Sequence, residues 1–442
     1  MRNWTGEGRG RQLRIVFLLH NAYAIGGTVR TTLNLASALA ARHDVEVVSL
    51  FRHRDTPRFG VDPRIRLVPL VDTREGSADR LDPAFARPAE DFPAEDRRHP
   101  QYTRLHDLRV RDLLARRDAD VVVGTRPGLN VYVSRFAPRG ALRVGQEHLR
   151  HDAHGKRLRA VLARHYRRLD ALVTVTAADA EVYRTRMALP GVRVEPVPNI
   201  VPDAGLAPSD GSAKVVAAAG RLVAGKRFDL LLEAFSTVAA KEPEWRLRIY
   251  GGGAERENLR RLADRLALTG RATLMGPVTP IEAEFARASL VVSASDAESF
   301  GMTLAEAMRC GVPVISTDCP LGPAAIVTDG VDGLLVPVGD ARALAEAMLD
   351  LIADAPRRRA MGRAALGSAR RYDAAGIVAR YELLFAELRA TRHRRAWDRN
   401  RARVAGAVRR RFRAAGHRMR APWAGRPRSP ARTGIRPTAR ET

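Results

Sequence analysis

Leu13-Arg14-Ile15-Val16-Phe17-Leu18-Leu19, then Gly26-Gly27-Thr28, then Val45-Glu46-Val47-Val48-Ser49-Leu50: these three pieces decide the fold. The first is a short, nearly continuous apolar run, the pattern of a strand buried on both faces of a parallel sheet. The glycine pair breaks the chain. Residues 28–41 then carry Leu33, Leu35, Ala36 and Leu39 as one apolar stripe and read as a helix. Residues 45–50 are a second strand. A strand, a helix and a strand in succession form a β-α-β unit, which implies a parallel sheet with right-handed crossovers.

The alternation continues outward. Residues 120–124, 143–145 and 172–176 each read as a strand followed by a loop and a helix. Between them, 72–100 is rich in Pro, Asp, Glu and Arg with little periodicity, and reads as a long surface excursion of the functional or mobile kind. Prolines punctuate 195–202, and the polar run Ser209-Asp210-Gly211-Ser212 follows; together they read as an interdomain linker. A second alternation starts at Lys214. Its strands are expected at 215–219, 246–250, 272–275, 290–293 and 314–316, with helices at 229–240, 256–266, 281–287, 303–310 and 341–352. The expected fold class is α/β: two doubly wound, Rossmann-like domains, the first over 13–200 and the second over 210–370.

The 442 residues suit two or three domains, and 45% hydrophobic with 28% charged residues is an ordinary globular mixture. The net charge of +26 predicts attraction to an anionic partner such as nucleic acid, a lipid surface or a phosphorylated substrate. That charge is unevenly spread: residues 391–442 hold 17 Arg against Asp398 and Glu441. Only 4 Lys occur, at Lys156, Lys214, Lys226 and Lys241, so each is more informative than a lysine usually is. Cys310 and Cys319 lack C-x-x-C spacing and are too few for a disulfide framework or a cysteine zinc site. No apolar run approaches the roughly 20 residues of a membrane span. The expectation is a soluble, cytoplasmic protein.

Two nucleotide fingerprints fail. Gly251-Gly252-Gly253 follows a strand, but the third glycine position of G-x-G-x-x-G is Arg256, and no Walker loop occurs. A nicotinamide oxidoreductase and a P-loop ATPase are thereby disfavoured. Two other segments carry chemistry. In Gly220-Arg221-Leu222-Val223-Ala224-Gly225-Lys226 a strand ends at glycine, and two cations five residues apart precede a helix. An anion there meets guanidinium, ammonium and helix-dipole charge together. In Glu298-Ser299-Phe300-Gly301-Met302-Thr303-Leu304-Ala305-Glu306 two carboxylates flank a helix start. The amides near Gly301 suit a phosphate; the carboxylates suit hydroxyl donors, as in sugar or ribose. Phosphate donors between hydroxyl acceptors describe a nucleotide-sugar pocket.

On these residues the chain resembles a GT-B glycosyltransferase, similar to the retaining transferases of family 4. E-x-F-G-x-x-x-x-E is matched by Glu298, Phe300, Gly301 and Glu306, G-R-x(4)-K by Gly220, Arg221 and Lys226, and the early glycine turn by Gly26 and Gly27. The resemblance runs from about Leu13 to Leu388. It implies that Arg221 and Lys226 hold the donor pyrophosphate and stabilise the departing nucleoside diphosphate. Glu306 would bind ribose hydroxyls, Glu298 the hydroxyls of the transferred sugar, and the amides of Phe300, Gly301, Met302 and Thr303 phosphate or sugar oxygens. Gly26 and Gly27 would let their loop approach donor and acceptor closely. His148 best matches the family's strand-end histidine, with His151 and His154 as rivals, and His20 and Asn21 fall at the cleft edge. The first domain would serve the acceptor and the second the donor, a UDP- or GDP-sugar. Residues 371–390 would form a helix crossing back to the first domain, with the hinge near 196–202.

The resemblance implies no cofactor and no metal, fixed cations replacing magnesium at the leaving phosphate. Asp118 and Asp120 precede a strand, at its wrong end for a metal ligand. Retention is likewise implied, with no residue standing out as a covalent nucleophile. In the tail, Trp397, Val404, Val408, Phe412, Ala415 and Met419 fall on one helical face among arginines, the pattern of an interfacial helix on anionic lipid, ended at Pro422 with a disordered remainder. The expected partners are a nucleotide sugar, a glycan or lipid-linked acceptor, and an anionic membrane at the inner face, with no specific nucleic acid. Truncation after Leu388 is expected to leave the catalytic unit intact. The rival readings are a nucleic-acid-binding protein working through the tail, and a GT-B relative of different chemistry such as a nucleotide-sugar epimerase or a phosphorylase.

Overall fold

The computed structural model describes residues 11–419, with the side chains of the last helix described to residue 405. The first half runs β1 (Arg14–Leu19), α1 (Gly27–Ala40), β2 (Asp44–Arg52), β3 (Ile65–Asp72), α2 (Arg104–Arg116), β4 (Val121–Gly124), α3 (Pro127–Phe136), β5 (Leu142–Glu147), α4 (Lys156–Tyr166), β6 (Ala171–Thr174), α5 (Ala177–Arg186) and β7 (Arg193–Pro196). These strands form a parallel sheet in the order β3-β2-β1-β4-β5-β6-β7. Ile15 pairs with Val45 on one side and Val121 on the other, which is why its strand is apolar on both faces.

The second half runs β8 (Val215–Ala219), α6 (Phe228–Lys241), β9 (Arg246–Tyr250), α7 (Arg256–Arg265), β10 (Ala272–Gly276), α8 (Glu282–Phe285), β11 (Leu290–Ser293), α9 (Met302–Arg309), β12 (Val314–Thr317), β13 (Gly333–Val336), α10 (Ala341–Ala353) and α11 (Ala355–Ala369). Its sheet is also parallel, in the order β10-β9-β8-β11-β12-β13. Each sheet reverses its strand order once, between β1 and β4 and between β8 and β11. Such a reversal opens a crevice beyond the carboxyl ends of the strands, where open α/β sheets bind ligands.

Three strands escape the sequence pattern. β3 and β13 are edge strands with weak alternation. β7 contains Pro196, whose missing N–H is tolerated on an edge, so the linker starts one strand later than its prolines suggest. The excursion expected at 72–100 does run mostly over the surface, but as a packed segment. It is pinned to the first domain by Phe92, fully buried and stacked on Tyr102 at 3.7 Å, and by the buried Asp91, which pairs with Arg104, Arg111 and Arg135.

The chain returns through α12 (Ala374–Ala390), which lays Ile377, Val378, Tyr381, Leu384, Phe385 and Leu388 into the core beneath β1 and α1. Each such side chain contributes about 1.5–3 kcal/mol when fully buried. The two crossings between domains touch: the Val201 amide donates to the Tyr372 carbonyl at 3.1 Å.

The final helix, α13 (Arg392–Met419), is not a free appendage at its start. Arg395 is buried and pairs with Asp170 at 2.5 Å; Arg399 reaches the same carboxylate at 3.4 Å. Gly191 lets this contact close, since a Cβ there would lie 2.5 Å from the Arg395 carbonyl oxygen. A cut after Leu388 therefore strips Asp170 of both cations, against the expectation that such a truncation leaves the catalytic unit intact. Trp397 and Val404 of the expected lipid face are exposed. The side chains of Val408, Phe412, Ala415 and Met419, and everything about Pro422 and the residues after it, lie outside the described residues. Among the described residues no helix is long and apolar enough to cross a membrane.

Candidate functional site

The crevice of the second sheet gathers most of the residues singled out in the sequence. β8 ends at Gly220-Arg221, and β11 leads through Ser295 to Glu298. Lys226 and Glu298, 72 positions apart, form an ion pair, and Ser295 Oγ donates to the same Glu298 Oε1 at 2.8 Å. Arg221 is exposed and makes no ion pair among the described residues. Arg227 caps α6 in a left-handed conformation (φ 49°) and is neutralised by Asp229 at 3.1 Å and Asp296 at 3.2 Å.

The triple glycine that fails as a dinucleotide fingerprint has another task. A Cβ on Gly251 would sit 1.8 Å from the Gly220 carbonyl oxygen, and one on Gly253 would sit 2.2 Å from that of Leu222. The glycines let the β9 loop press against the loop carrying Arg221 and Lys226, fixing it from behind. Gly301 caps α9 with φ 101°, a conformation that L side chains rarely adopt, and so places the amides of Met302 and Thr303 in the first turn of the helix. Phe300 is buried edge-on against Tyr372.

Glu306 lies one turn into α9 and is buried at 5% exposure. Its partner comes from the other domain: Arg30 Nε of α1 lies 3.3 Å from Glu306 Oε1, and the same guanidinium binds Glu282. Burial raises the Glu306 carboxyl to about 7; Arg30 opposes that shift and Glu282 adds to it. Burial likewise pushes the Cys310 thiol up to about 12 and the Cys319 thiol up to about 11, so neither is a thiolate near neutrality.

On the first domain, Gly26 caps α1 and Gly27 begins it, with nothing within 4 Å of where a Cβ would stand at either. The protein's own packing therefore does not require glycine at either position. His148 follows β5, half-buried, with Nε2 3.4 Å from Gln146 Oε1; burial and then the Arg126 charge push it down to about 4. Its rivals turn away. His151 is buried edge-on to Tyr183, and His154 pairs with the fully buried Glu147 at 3.3 Å. His20 ends β1, held between Tyr102 Oη at 2.8 Å and Arg98 at 2.9 Å; Asn21 bonds His53 at 2.9 Å.

Two family models match this arrangement: glycosyl transferase 4-like domain over residues 26–200, and glycosyl transferases group 1 over 207–367. Each of the two domains belongs to a glycosyltransferase family, the second to group 1. This glycosyltransferase is 35% identical over 391 residues to an exopolysaccharide phosphotransferase of Streptomyces coelicolor, covering 85% of its own length but 41% of that protein. The chain thus spans about two fifths of that curated relative. Among solved structures, S. aureus TarM, in complex with fondaparinux, α-GlcNAc-glycerol and UDP, superposes with a TM-score of 0.69 at 15% identity over 85% of this chain and 100% of that one. HepE of Anabaena, in complex with UDP and glucose, gives 0.66 at 18% identity over 85% and 100%. Both likenesses establish the GT-B fold.

Within this glycosyltransferase the structure brings together Gly220, Arg221, Lys226, Glu298, Phe300, Gly301, Met302 and Thr303 around one crevice. Glu306 stands with Arg30 at the domain junction. Sequence reading missed Arg30, Glu282, Arg98 and Arg126. The first two meet across 252 positions, and none of the four lies in a local motif.

Proposed function

We propose that the protein transfers a hexosyl group from a UDP-sugar to a hydroxyl of a glycan or lipid-linked acceptor, without a metal ion and with retention at the anomeric carbon. The observation that carries this reading is the Lys226–Glu298 pair at the switch point of the second sheet, beside the unpaired Arg221. A cation and a carboxylate held together, with free guanidinium charge and helix amides alongside, suit a ligand that is both anionic and hydroxyl-rich. UDP is favoured over GDP because both structural neighbours named above were solved with UDP.

In the reaction the bond from the anomeric carbon to the diphosphate oxygen breaks, and UDP leaves with the electron pair. Arg221, Lys226 and the α9 amides stabilise that charge as it develops, which removes the need for magnesium. The acceptor oxygen bonds to the anomeric carbon, and its proton passes to the departing phosphate. Glu306 accepts from ribose hydroxyls, Glu298 and His148 contact the transferred sugar, and the amide-rich turn at Gly26 and Gly27 approaches the phosphates. The neutral His148 that burial enforces suits a hydrogen bond to a hydroxyl.

A screen of UDP- and GDP-sugars with EDTA present tests this reading: release of one nucleoside diphosphate is expected, and turnover only on adding magnesium overturns the metal-free step. Epimerised nucleotide sugar without acceptor would favour the epimerase alternative. We also propose that α13 meets anionic membrane, placing the enzyme at the inner face. The exposed Trp397 and Val404 beside Arg401 and Arg403 support this. Sedimentation with anionic but not neutral vesicles, lost on truncation after Ala396, is expected. Salt-sensitive binding of nucleic acid instead, lost with the same segment, would favour the nucleic-acid alternative.

A further inference from the structure

The crevice of the first sheet holds positive charge that the protein itself does not neutralise. β1 and β4 are the strands between which the order reverses, and His20 and Arg126 follow their carboxyl ends. Arg126 Nε is shut away from solvent and has no hydrogen-bond partner, and its guanidinium makes no ion pair among the described residues. Arg126 is half-buried, and keeping a partly desolvated cation unpaired carries a cost. Arg395 and Arg358 differ at their terminal nitrogens: Arg395 has Asp170, and Arg358, whose Nε is likewise unpartnered, bonds the carbonyls of Ile352 and Gly211.

Arg98, carried in by the packed 72–100 excursion, adds a second guanidinium. Its contacts are neutral: His20 Nε2 at 2.9 Å and Gln101 Oε1 at 3.1 Å. A guanidinium only donates, so His20 Nε2 accepts, and Nδ1–H donates to Tyr102 Oη. Burial, with Arg126 and Arg98 nearby, pushes His20 down to about 2, so it orients Arg98 without cancelling or adding charge. The carboxylate whose charge acts on Arg98 is Asp96. It accepts from the Arg98 backbone amide at 2.9 Å, and its buried Oδ2 meets neither guanidinium. Burial, with the Arg126 charge and that of Arg221 from the other domain, pushes the Arg98 pKa down.

We propose that Arg126 and Arg98 form a phosphate site on the acceptor side of the cleft, so that the acceptor is a phosphate-bearing molecule. The assignment of sides rests on the glycosyltransferase reading above. Two unpaired guanidiniums match the near-dianionic charge of a phosphate monoester better than the single charge of a carboxylate. The donor diphosphate is already served by Arg221, Lys226 and the α9 amides, from the opposite domain.

Calorimetry on the full chain tests this, using sn-glycerol 3-phosphate, glycerol and glycerate as probes, each with and without saturating UDP. The UDP-saturated protein is expected to bind glycerol 3-phosphate and neither of the others. Arg126→Gln and Arg98→Gln should each weaken that binding by about 10–100-fold, the scale of a charged hydrogen bond, while changing UDP affinity less than about twofold. Arg126→Lys should recover part of the binding. Because the guanidinium has no partner in the protein, Arg126→Met should melt no lower than wild type, whereas a structural arginine would lower the melting temperature.

Equal binding of glycerate overturns the phosphate assignment. Loss of UDP affinity in both variants moves the pair to the donor diphosphate and overturns the acceptor site. No glycerol 3-phosphate binding in either nucleotide state overturns the site altogether. Failure of wild type to bind UDP, with glycerol 3-phosphate still bound through Arg126, would count against the donor reading alone.

Discussion

The two crevices share a topology and differ in how they treat charge. In the second domain Lys226 meets Glu298, and Arg227 meets Asp229 and Asp296, while Arg221 makes no ion pair among the described residues. In the first domain Arg98 bonds neutral groups, Arg126 Nε has no partner, and burial pushes the pKa of the neighbouring His20 and His148 down. The same strand reversal thus supports a crevice of opposite charges, suited to a ligand with both phosphates and hydroxyls, and one of uncompensated positive charge. Topology locates a site, and the local ion pairs decide what it takes.

The largest effect is expected where the paired crevice is broken. Lys226→Ala should lower kcat by roughly 10²–10³, the scale for removing one preorganised contact to developing charge. Unchanged turnover in a folded variant would remove the contrast, since both crevices would then work without their internal pair.

Glu306→Gln should weaken UDP binding by about 10–100-fold, from the loss of charged hydrogen bonds worth about 1.5–3 kcal/mol. The titration should be repeated with UDP lacking the 2′ and 3′ hydroxyls. If wild type binds both nucleotides equally, Glu306 does not read ribose.

Arg395→Met sharpens the contrast with Arg126. It removes a buried first-domain arginine that does have a carboxylate, so urea unfolding should show a loss of about 2 kcal/mol. That is below the usual cost of breaking a buried pair, because Asp170 keeps the Arg143 amide at 2.9 Å. Equal stability of Arg395→Met and Arg126→Met would mean that pairing makes no difference here.

The smallest effect is a pH dependence. Glu306 has a folded value of about 7 against 4.5 for the free side chain, so the folded state binds the extra proton. Its stabilising contribution is complete below 4.5 and is lost as pH rises through 7. The slope is at most about 1.4 kcal/mol per pH unit for one proton. Stability of Glu306→Gln should be flatter over that window, and identical slopes would show that Arg30 holds the carboxylate charged throughout.

The legibility of this chain follows the same division. Both sheets were readable because parallel strands buried on two faces leave apolar runs, as at Ile15 and Val216. The donor-side residues were readable because each sits within a few positions of a glycine turn that breaks such a run. β7 was hidden by Pro196, which reads as a linker unless the strand is known to lie at an edge. The 72–100 excursion was hidden because its packing rests on single residues such as Phe92 rather than on a period. Arg98 and Arg126 were invisible for a related reason. An arginine is informative only through what it fails to meet, and in a chain with 71 of them no spacing separates the unpaired from the paired.

Arg30 has a consequence for the order of events in time. It stands between the domains and occupies Glu282 and Glu306 together, so the carboxylate proposed for ribose is engaged by the facing domain. A nucleotide arriving from solution reaches that carboxylate only after the contact has parted. Association should then level off at high nucleotide concentration, at the rate of parting rather than of collision. Added salt should raise that plateau by loosening the contact, even as it weakens the phosphate's own attraction to the cleft.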